Sequence, residues 1–174
     1  ITLSVICPFI GIDTPVTVIQ MLWVNMVMDT LAGLAFAFEP PLIEYMMEKP
    51  KRKDEFIINK YMISEILVTG VYSSLLCLFF LKSPFINNFF RPSVNNAYLM
   101  SAFFGLFIFI DIFNSFSART NKIDILNGLS KNKVFIIIML FITIVQILLI
   151  YFGGNLFRTT SLNINEFLVM LTLA

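Results

Sequence analysis

Long apolar runs alternate with polar connections along this chain. Four of the runs reach or exceed the ~18–20 residues that a helix needs to cross a bilayer, and a shorter apolar run stands at each end. The pattern predicts one domain over residues 1–174, an all-α, polytopic transmembrane helix bundle of about six helices with the first and last truncated. The predicted helices cover residues 1–10, 16–38, 61–82, 97–118 and 133–152, and a last one begins near residue 165.

Composition supports a membrane environment. Hydrophobic residues make up 58% of the chain and charged residues 13%, against roughly 25% charged in a typical soluble domain. Mean hydropathy is +0.87. We therefore expect the lipid bilayer as a partner, whereas a net charge of +1 argues against nucleic acid. The apolar ends, without an initiator Met or a signal-peptide pattern, indicate a fragment of a longer protein.

Basic residues gather on alternate connections, as the positive-inside rule requires of a helical membrane protein. One face of the predicted bundle has nine of them, and the other face has only Lys82, Arg91 and Arg158. The first face is therefore expected to be cytosolic, in an integral, multi-pass membrane protein. Its nine basic residues are Lys49, Lys51, Arg52, Lys53, Lys60, Arg119, Lys122, Lys131 and Lys133.

Two polar side chains, Asn25 and Asp29, interrupt the second apolar run. They lie at positions i and i+4, so a helix places their oxygens on one face, one turn apart. A carboxylate at the centre of a spanning helix costs about 2.5 to 3.5 kcal/mol unless it faces the bundle and has a partner. Paired oxygen donors suit Ca²⁺ or another hard cation, and the sequence has no His. Hydrogen bonding between helices is the structural alternative.

A second intramembrane carboxylate, Asp111, lies in the fourth apolar run, and Asn114 follows on nearly the same face. The spacing leaves an ion site and interhelical hydrogen bonding equally open for this pair. Asn25, Asp29 and Asp111 are the candidate metal ligands. Because Ca²⁺ takes about 6–8 oxygens, other helices or water must complete the coordination shell.

The remaining polar and aromatic residues of the spans have structural interpretations. Gln20 and Gln146 are predicted to join helices by hydrogen bonds or to lie at helix interfaces. Glu65 is predicted to reach water at the cytosolic end of its span. The aromatic side chains between Phe103 and Phe116 are predicted to face lipid and neighbouring helices rather than a cofactor.

Several stretches of the chain carry a resemblance to known proteins: Gln20 to Asn25, Met28 to Ala32, Phe38 to Pro41, Phe113 with Asn114, Ala118 with Arg119, and Gln146 with Phe152 to Gly154. Together they closely resemble one family, the calcium-pumping P-type ATPases. The match is to the sixth transmembrane helix of the family and to the eighth and ninth helices of its plasma-membrane type. It implies that residues 1–10 are the outer end of helix five and residues 165–174 the beginning of helix ten.

The resemblance implies roles for individual residues. Asn25 and Asp29 correspond to the helix-six calcium ligands of the family, in a segment where the helix is partly unwound. Gly33, just beyond this segment, would ease the distortion of the helix. Met28 stands where the two-ion reticulum type has Thr, which resembles the plasma-membrane type and favours one ion per cycle. Asp111 is an acid at the position where the plasma-membrane type has Gln. Its role there could be that of a second-site ligand, of a proton carrier or of an acid kept neutral by burial.

The resemblance also implies what the fragment lacks. The phosphorylated Asp of the family lies in an Asp-Lys-Thr-Gly-Thr motif, and no Asp here is followed by Lys. The full-length protein is expected to be a P-type Ca²⁺-transporting ATPase that exports Ca²⁺ from the cytosol, in the plasma membrane. Missing upstream helices and cytosolic domains would bind ATP and Mg²⁺, and the connection 39–60 would couple phosphorylation to movement of helix six. The alternatives are a P-type pump for Na⁺, K⁺ or Mn²⁺ and a channel or carrier subunit that is not an ATPase.

Overall fold

The structure, a computed structural model, describes residues 2–11, 15–40, 58, 60–93, 96–119, 129 and 132–174. Most of these residues are helical, and no strand occurs among them, which confirms the all-α bundle. A π-helical turn, Trp23–Met28, joins α2 to α3 in one continuous helix. The α-helices are α1 (Thr2–Phe9), α2 (Val18–Leu22), α3 (Asp29–Ala37), α4 (Lys60–Lys82), α5 (Pro84–Asn87), α6 (Ala97–Ala118), α7 (Lys133–Phe152), α8 (Gly154–Phe157) and α9 (Ile164–Leu173).

The described chain has four helices that are long and apolar enough to cross a membrane. They are the continuous helix Val18–Ala37, the part of α4 from Met62 to Lys82, the whole of α6, and the whole of α7. All four agree with the predicted spans to within two residues. The predicted terminal helices are present as α1 and α9. The short helices α5 and α8 were not predicted, because four residues are too few to show an apolar period.

Side-chain caps explain why three helices begin where they do. Thr17 and Gln20 form a capping box at α2, and Asn163 and Glu166 form one at α9. At α7 the side chain of Asn132 accepts a hydrogen bond from the backbone N–H of Phe135. These contacts satisfy backbone donors that would otherwise be left without partners at the edge of the hydrocarbon region.

Helix α6 forms the centre of the described bundle. Most of its apolar side chains are buried, and it packs against α4, α7 and α9. Phe103 contacts Phe80 of α4, and Phe109 contacts Phe167 of α9. The aromatic side chains of α6 that make these contacts thus face neighbouring helices, as predicted, and Phe103 is fully buried among them.

The helix ends meet at two opposite faces of the bundle. One end, here called the basic face, includes Arg119 after α6 and Lys133 at the start of α7. Glu39, which follows α3, lies at the same face because it accepts a hydrogen bond from Arg119. At the other end, the opposite face, Ser101 of α6 hydrogen-bonds Thr160. The alternation on which the topology prediction rests is therefore present for these helices.

Of the nine basic residues on the predicted cytosolic face, the structure describes Lys60, Arg119 and Lys133. Those at positions 49, 51, 52, 53, 122 and 131 lie outside the described residues. The same is true of most of the connection 39–60, of which only Glu39, Pro40, Ile58 and Lys60 are described. The coupling role expected of that connection stays a prediction.

A buried carboxylate, Glu166, ties α9 to the connection before α6. It accepts hydrogen bonds from the backbone N–H of Arg91 (3.1 Å), from Arg91 Nε and Nη2 (3.0 Å each) and from the N–H of Asn163 (2.7 Å). Arg91 also lies 4.0 Å from the ring centroid of Tyr98. The hydrogen bond to Glu166 raises the pKa of the Arg91 guanidinium above its ordinary value.

We expect Glu166→Gln to destabilise the protein by about 1–3 kcal/mol, because an amide N–H₂ would face donors that now bond a buried oxygen. The measurement is the melting temperature of the intact, detergent-solubilised parent protein. Glu65→Gln is the matched control, because Glu65 is exposed and should change stability by less than about 0.5 kcal/mol. Equal melting temperatures for the two variants would contradict a structural role for Glu166.

Candidate ion-binding site

The π-helical turn lies within the Val18–Ala37 helix. At its end the backbone N–H of Asp29 bonds to the carbonyl of Val24, five residues earlier instead of four. The residues at both ends of the turn keep right-handed helical dihedral angles, so the segment is a widened helix. The family resemblance implied a partly unwound segment at Asn25 and Asp29, with Gly33 just beyond it. The irregular segment does lie there, as a widened helix, and Gly33 follows it in regular α3. Wide turns of this kind often occur at functional sites.

The turn separates an apolar side from a polar one. Val24 and Met28 are buried in the bundle, whereas Asn25 and Asp29, each one residue later, are exposed. The two candidate ligands therefore lie on the same side of the helix, as their spacing predicted. Met28 points into the apolar core, away from that side, and so it is not among the groups that an ion there would meet.

Neither candidate ligand has a polar partner for its side chain within the described part of the chain. The side chains of Asn25 and Asp29 make no hydrogen bond or ion pair with any described residue. A carboxylate without a partner is costly in a spanning helix. The alternative role, hydrogen bonding between helices, is therefore absent for this pair among the helices that the structure describes.

Asp111 lines a cavity of about 520 Å³ between α1, α4 and α6. Asn114 lines the same cavity, as do Thr69, Ser73 and Glu65 of α4. The carboxylates of Asp111 and Asp29 are close enough to interact electrostatically. Across the described residues, however, no three His, Cys, Asp or Glu side chains form a group that could hold a metal ion.

The two glutamines predicted to join helices differ. Gln20 donates from Nε2 to the carbonyl of Phe157 at 2.6 Å, so it does join two helices. Gln146 is fully buried at a helix interface, but neither of its amide atoms has a hydrogen-bond partner among the described residues. Glu65 is exposed at the end of α4 near the basic face, in agreement with its predicted solvation.

An important polar cluster was missed by the sequence analysis. Glu39 accepts hydrogen bonds from Arg119 Nη1 at 2.9 Å and from Asn132 Nδ2 at 2.6 Å. The Arg119 side chain is 1% exposed, and its guanidinium lies 5.8 Å from the ring centroid of Phe135. Glu39 and Arg119 both belong to the stretches that carry the family resemblance, which was the available signal.

Fold and site together define a class of protein, an integral membrane helix bundle in which one span exposes candidate oxygen ligands that have no partner among the described residues. Comparison with known proteins makes this more specific. Residues 13–174 match the family model described as "Cation transporting ATPase, C-terminus". The chain therefore belongs to the cation-transporting ATPase family and is part of its carboxyl-terminal membrane region.

Curated relatives agree on the type of pump. The chain is 31% identical to "Plasma membrane calcium-transporting ATPase mca-1" of Caenorhabditis elegans, over 98% of this chain and 14% of the relative. It is 33% identical to "Plasma membrane calcium-transporting ATPase 1" of Homo sapiens, over 90% of this chain and 13% of the relative. "Calcium-transporting ATPase 2" of Cryptococcus neoformans is 35% identical over 86% of this chain and 11% of the relative. The chain thus spans about one seventh of the length of these relatives or less.

Proposed function

We propose that this chain is half of the transport domain of an ATP-driven pump that exports Ca²⁺ from the cytosol across the plasma membrane. The observation that carries the proposal is the exposed pair Asn25 and Asp29, which has no partner among the described residues beside a π-helical turn. These are hard oxygen donors in a spanning helix, and the family pumps cations. The relatives are named as calcium-transporting ATPases, which favours Ca²⁺ among the possible ions.

The site is incomplete in this chain, which supports a role within a larger pump. Asn25 and Asp29 supply at most three oxygens of the about 6–8 that Ca²⁺ requires, even with Asp29 bidentate. Their exposed side is where other helices of the parent protein would pack and add ligands. ATP and Mg²⁺ would be bound by cytosolic domains of the same parent, and the basic face would lie toward those domains.

The test is ATP hydrolysis by the full-length parent in sealed vesicles as free Ca²⁺ is titrated. We expect activity to rise at micromolar Ca²⁺, together with ⁴⁵Ca²⁺ uptake into vesicles that expose the cytosolic side. Activation by Na⁺, K⁺ or Mn²⁺ instead would keep the family and overturn the ion. Ion flux without ATP hydrolysis would support the channel or carrier alternative.

For Asp111 we propose a role in the charge balance of transport, as a second ligand or a proton carrier. Asp111→Asn is nearly isosteric and breaks no hydrogen bond among the described residues. ATPase activity should therefore survive within about twofold, the effect of a substitution worth 0.5 kcal/mol or less. The net charge moved per ATP should change, as measured by vesicle currents against hydrolysis.

Ser73→Ala is the control for Asp111→Asn, because Ser73 lines the same cavity without a charge. Its charge per ATP should equal that of the wild type. An unchanged ratio in Asp111→Asn as well would remove Asp111 from the transport cycle and leave it as a structural residue.

A further inference from the structure

The Val18–Ala37 helix is held to its neighbours near both ends. At the opposite face, Gln20 donates to the carbonyl of Phe157 in α8 at 2.6 Å. The Gln20 side chain also accepts from the backbone N–H of Thr17 at 2.8 Å, which fixes its rotamer. The rings of Trp23 and Phe157 form a T-shaped pair, with 6.5 Å between centroids. This end of the helix is therefore fixed to the segment that follows α7.

At the basic face the helix is fixed by Glu39, two residues beyond α3. The two oxygens of Glu39 accept from different partners, Arg119 at the end of α6 and Asn132 at the start of α7. Asn132 is itself immobilised, because its side-chain oxygen caps α7. Phe36 packs on Phe135 beside this cluster, with ring centroids 5.7 Å apart.

The two attachments lie at opposite ends of α7, which packs alongside α3. Asn132 precedes α7 and Phe157 follows it closely, and α7 is an uninterrupted helix of 20 residues. Such a helix has a fixed length of about 30 Å. The distance between the two attached ends of the Val18–Ala37 helix is therefore set by α7.

The π-helical turn is the irregular part between the attachments. The regular helices α2 and α3 flank it, and the side chain of its candidate ligand Asn25 makes no hydrogen bond among the described residues. A helix with both ends held cannot slide or tilt as a whole, so a rearrangement must occur within it. A π-helical turn can change its hydrogen-bond register locally, which makes it the segment able to do so.

We propose that Gln20 and Glu39 are positioning residues that confine ion-linked movement of the helix to the turn Trp23–Met28. With the ends fixed, a change in the turn alters the position of Asn25 relative to Asp29 and so alters ion affinity. Releasing either end lets the helix shift as a body and separates ion binding from the rest of the cycle. The inference rests on the proposed function, since it concerns the same ion site.

The first test uses the intact parent pump with the double variant Glu39→Gln with Arg119→Gln. It removes both charges of the Glu39–Arg119 ion pair together, so neither of the two is left charged without the other, and we expect the protein to fold. We expect the Ca²⁺ concentration for half-maximal ATPase activity to rise about tenfold, a typical size for coupling between sites. The ATP concentration for half-maximal activity should stay unchanged. Lys133→Gln, an exposed charge beside the same cluster, is the control and should leave both values unchanged.

The same shift is expected when the other end is released by Gln20→Ala. Its control is Val18→Ala, since Val18 is 77% exposed in the same turn of the helix. Unchanged Ca²⁺ dependence in both the double variant and Gln20→Ala would overturn the proposal. Equal losses for ATP and Ca²⁺ would also overturn it, because they would indicate general damage.

Distances between spin labels test directly whether the movement of the helix is confined to the turn Trp23–Met28. Spin labels at the exposed positions Leu34 and Ile137 report α3 against α7, and labels at Met26 and Ile144 report the turn against α7. On Ca²⁺ removal, we expect the second distance to change and the first to stay constant. In the Glu39→Gln, Arg119→Gln double variant both should change. Movement of the first pair in the wild type would overturn the proposal.

Failure of the proposed function would be recognised separately. A wild-type pump that is activated by another cation would refute Ca²⁺ as the ion. The two label distances, measured with that activating cation added and removed, would still decide whether movement is confined to the turn.

Discussion

Asp29→Asn should abolish Ca²⁺-dependent phosphorylation of the intact pump from ATP. The substitution keeps the shape of the side chain and removes the full negative charge that a divalent cation requires of its main ligand. We expect the Ca²⁺ affinity to fall by at least about 100-fold, equal to about 2.7 kcal/mol. At micromolar Ca²⁺ the phosphorylated intermediate would then be undetectable. The measurement is ³²P incorporation from labelled ATP across a Ca²⁺ titration.

Loss of function in Asp29→Asn would be specific, because the Asp29 side chain makes no hydrogen bond or ion pair among the described residues. The variant should therefore keep the wild-type melting temperature and bind ATP normally. Glu65→Gln, the same chemical change at an exposed carboxylate of α4, is the control and should phosphorylate like the wild type. High-affinity Ca²⁺ activation retained in Asp29→Asn would remove this residue from the site.

The spans could be predicted because a bilayer sets one length for every helix that crosses it. Apolar runs of about 20 residues therefore mark their own boundaries, and α6 begins and ends at the predicted residues, Ala97 and Ala118. Local capping residues such as Asn132 act over three positions and confirm a helix start. This part of the fold depends on short-range information.

Helix orientation within the bundle could not be predicted in the same way. In a soluble helix the polar side faces water, but in a membrane the lipid side and the packed side are both apolar. Phe103 and Phe104 of α6 are fully buried, while Phe113 on the same helix is 44% exposed. No difference in hydrophobicity between these residues distinguishes the two environments.

The candidate site was predictable only as far as its residue types. Asn25 and Asp29 stand out because oxygen ligands are rare in spanning helices. The π-helical turn beside them has no sequence signal, since the residues Trp23 to Met28 include neither Gly nor Pro. The partners of Glu39 are 80 and 93 residues away, and their pairing is set by how α3, α6 and α7 pack.

Gly105 lies where α6, α7 and α9 meet, and a larger side chain there should prevent them from packing. A Cβ atom added at Gly105 would lie 3.0 Å from Met170 Cε and 3.1 Å from Ile150 Cδ1. Alanine already requires both neighbours to move slightly. Leucine adds three further carbons with no space to occupy, so we expect Gly105→Leu to cost about 3 kcal/mol or more, at or above the usual range for overpacking.

The measurement for Gly105→Leu is the yield and melting temperature of the parent protein in detergent, by size-exclusion chromatography after heating. Thr172→Leu is the control, because Thr172 is exposed on α9 and has space for the larger side chain. The double variant Gly105→Leu with Met170→Ala vacates the volume that the leucine needs, so it should recover part of the lost stability. A double variant no more stable than Gly105→Leu alone would show that close packing of Gly105 against Met170 is not what holds α6 to α9.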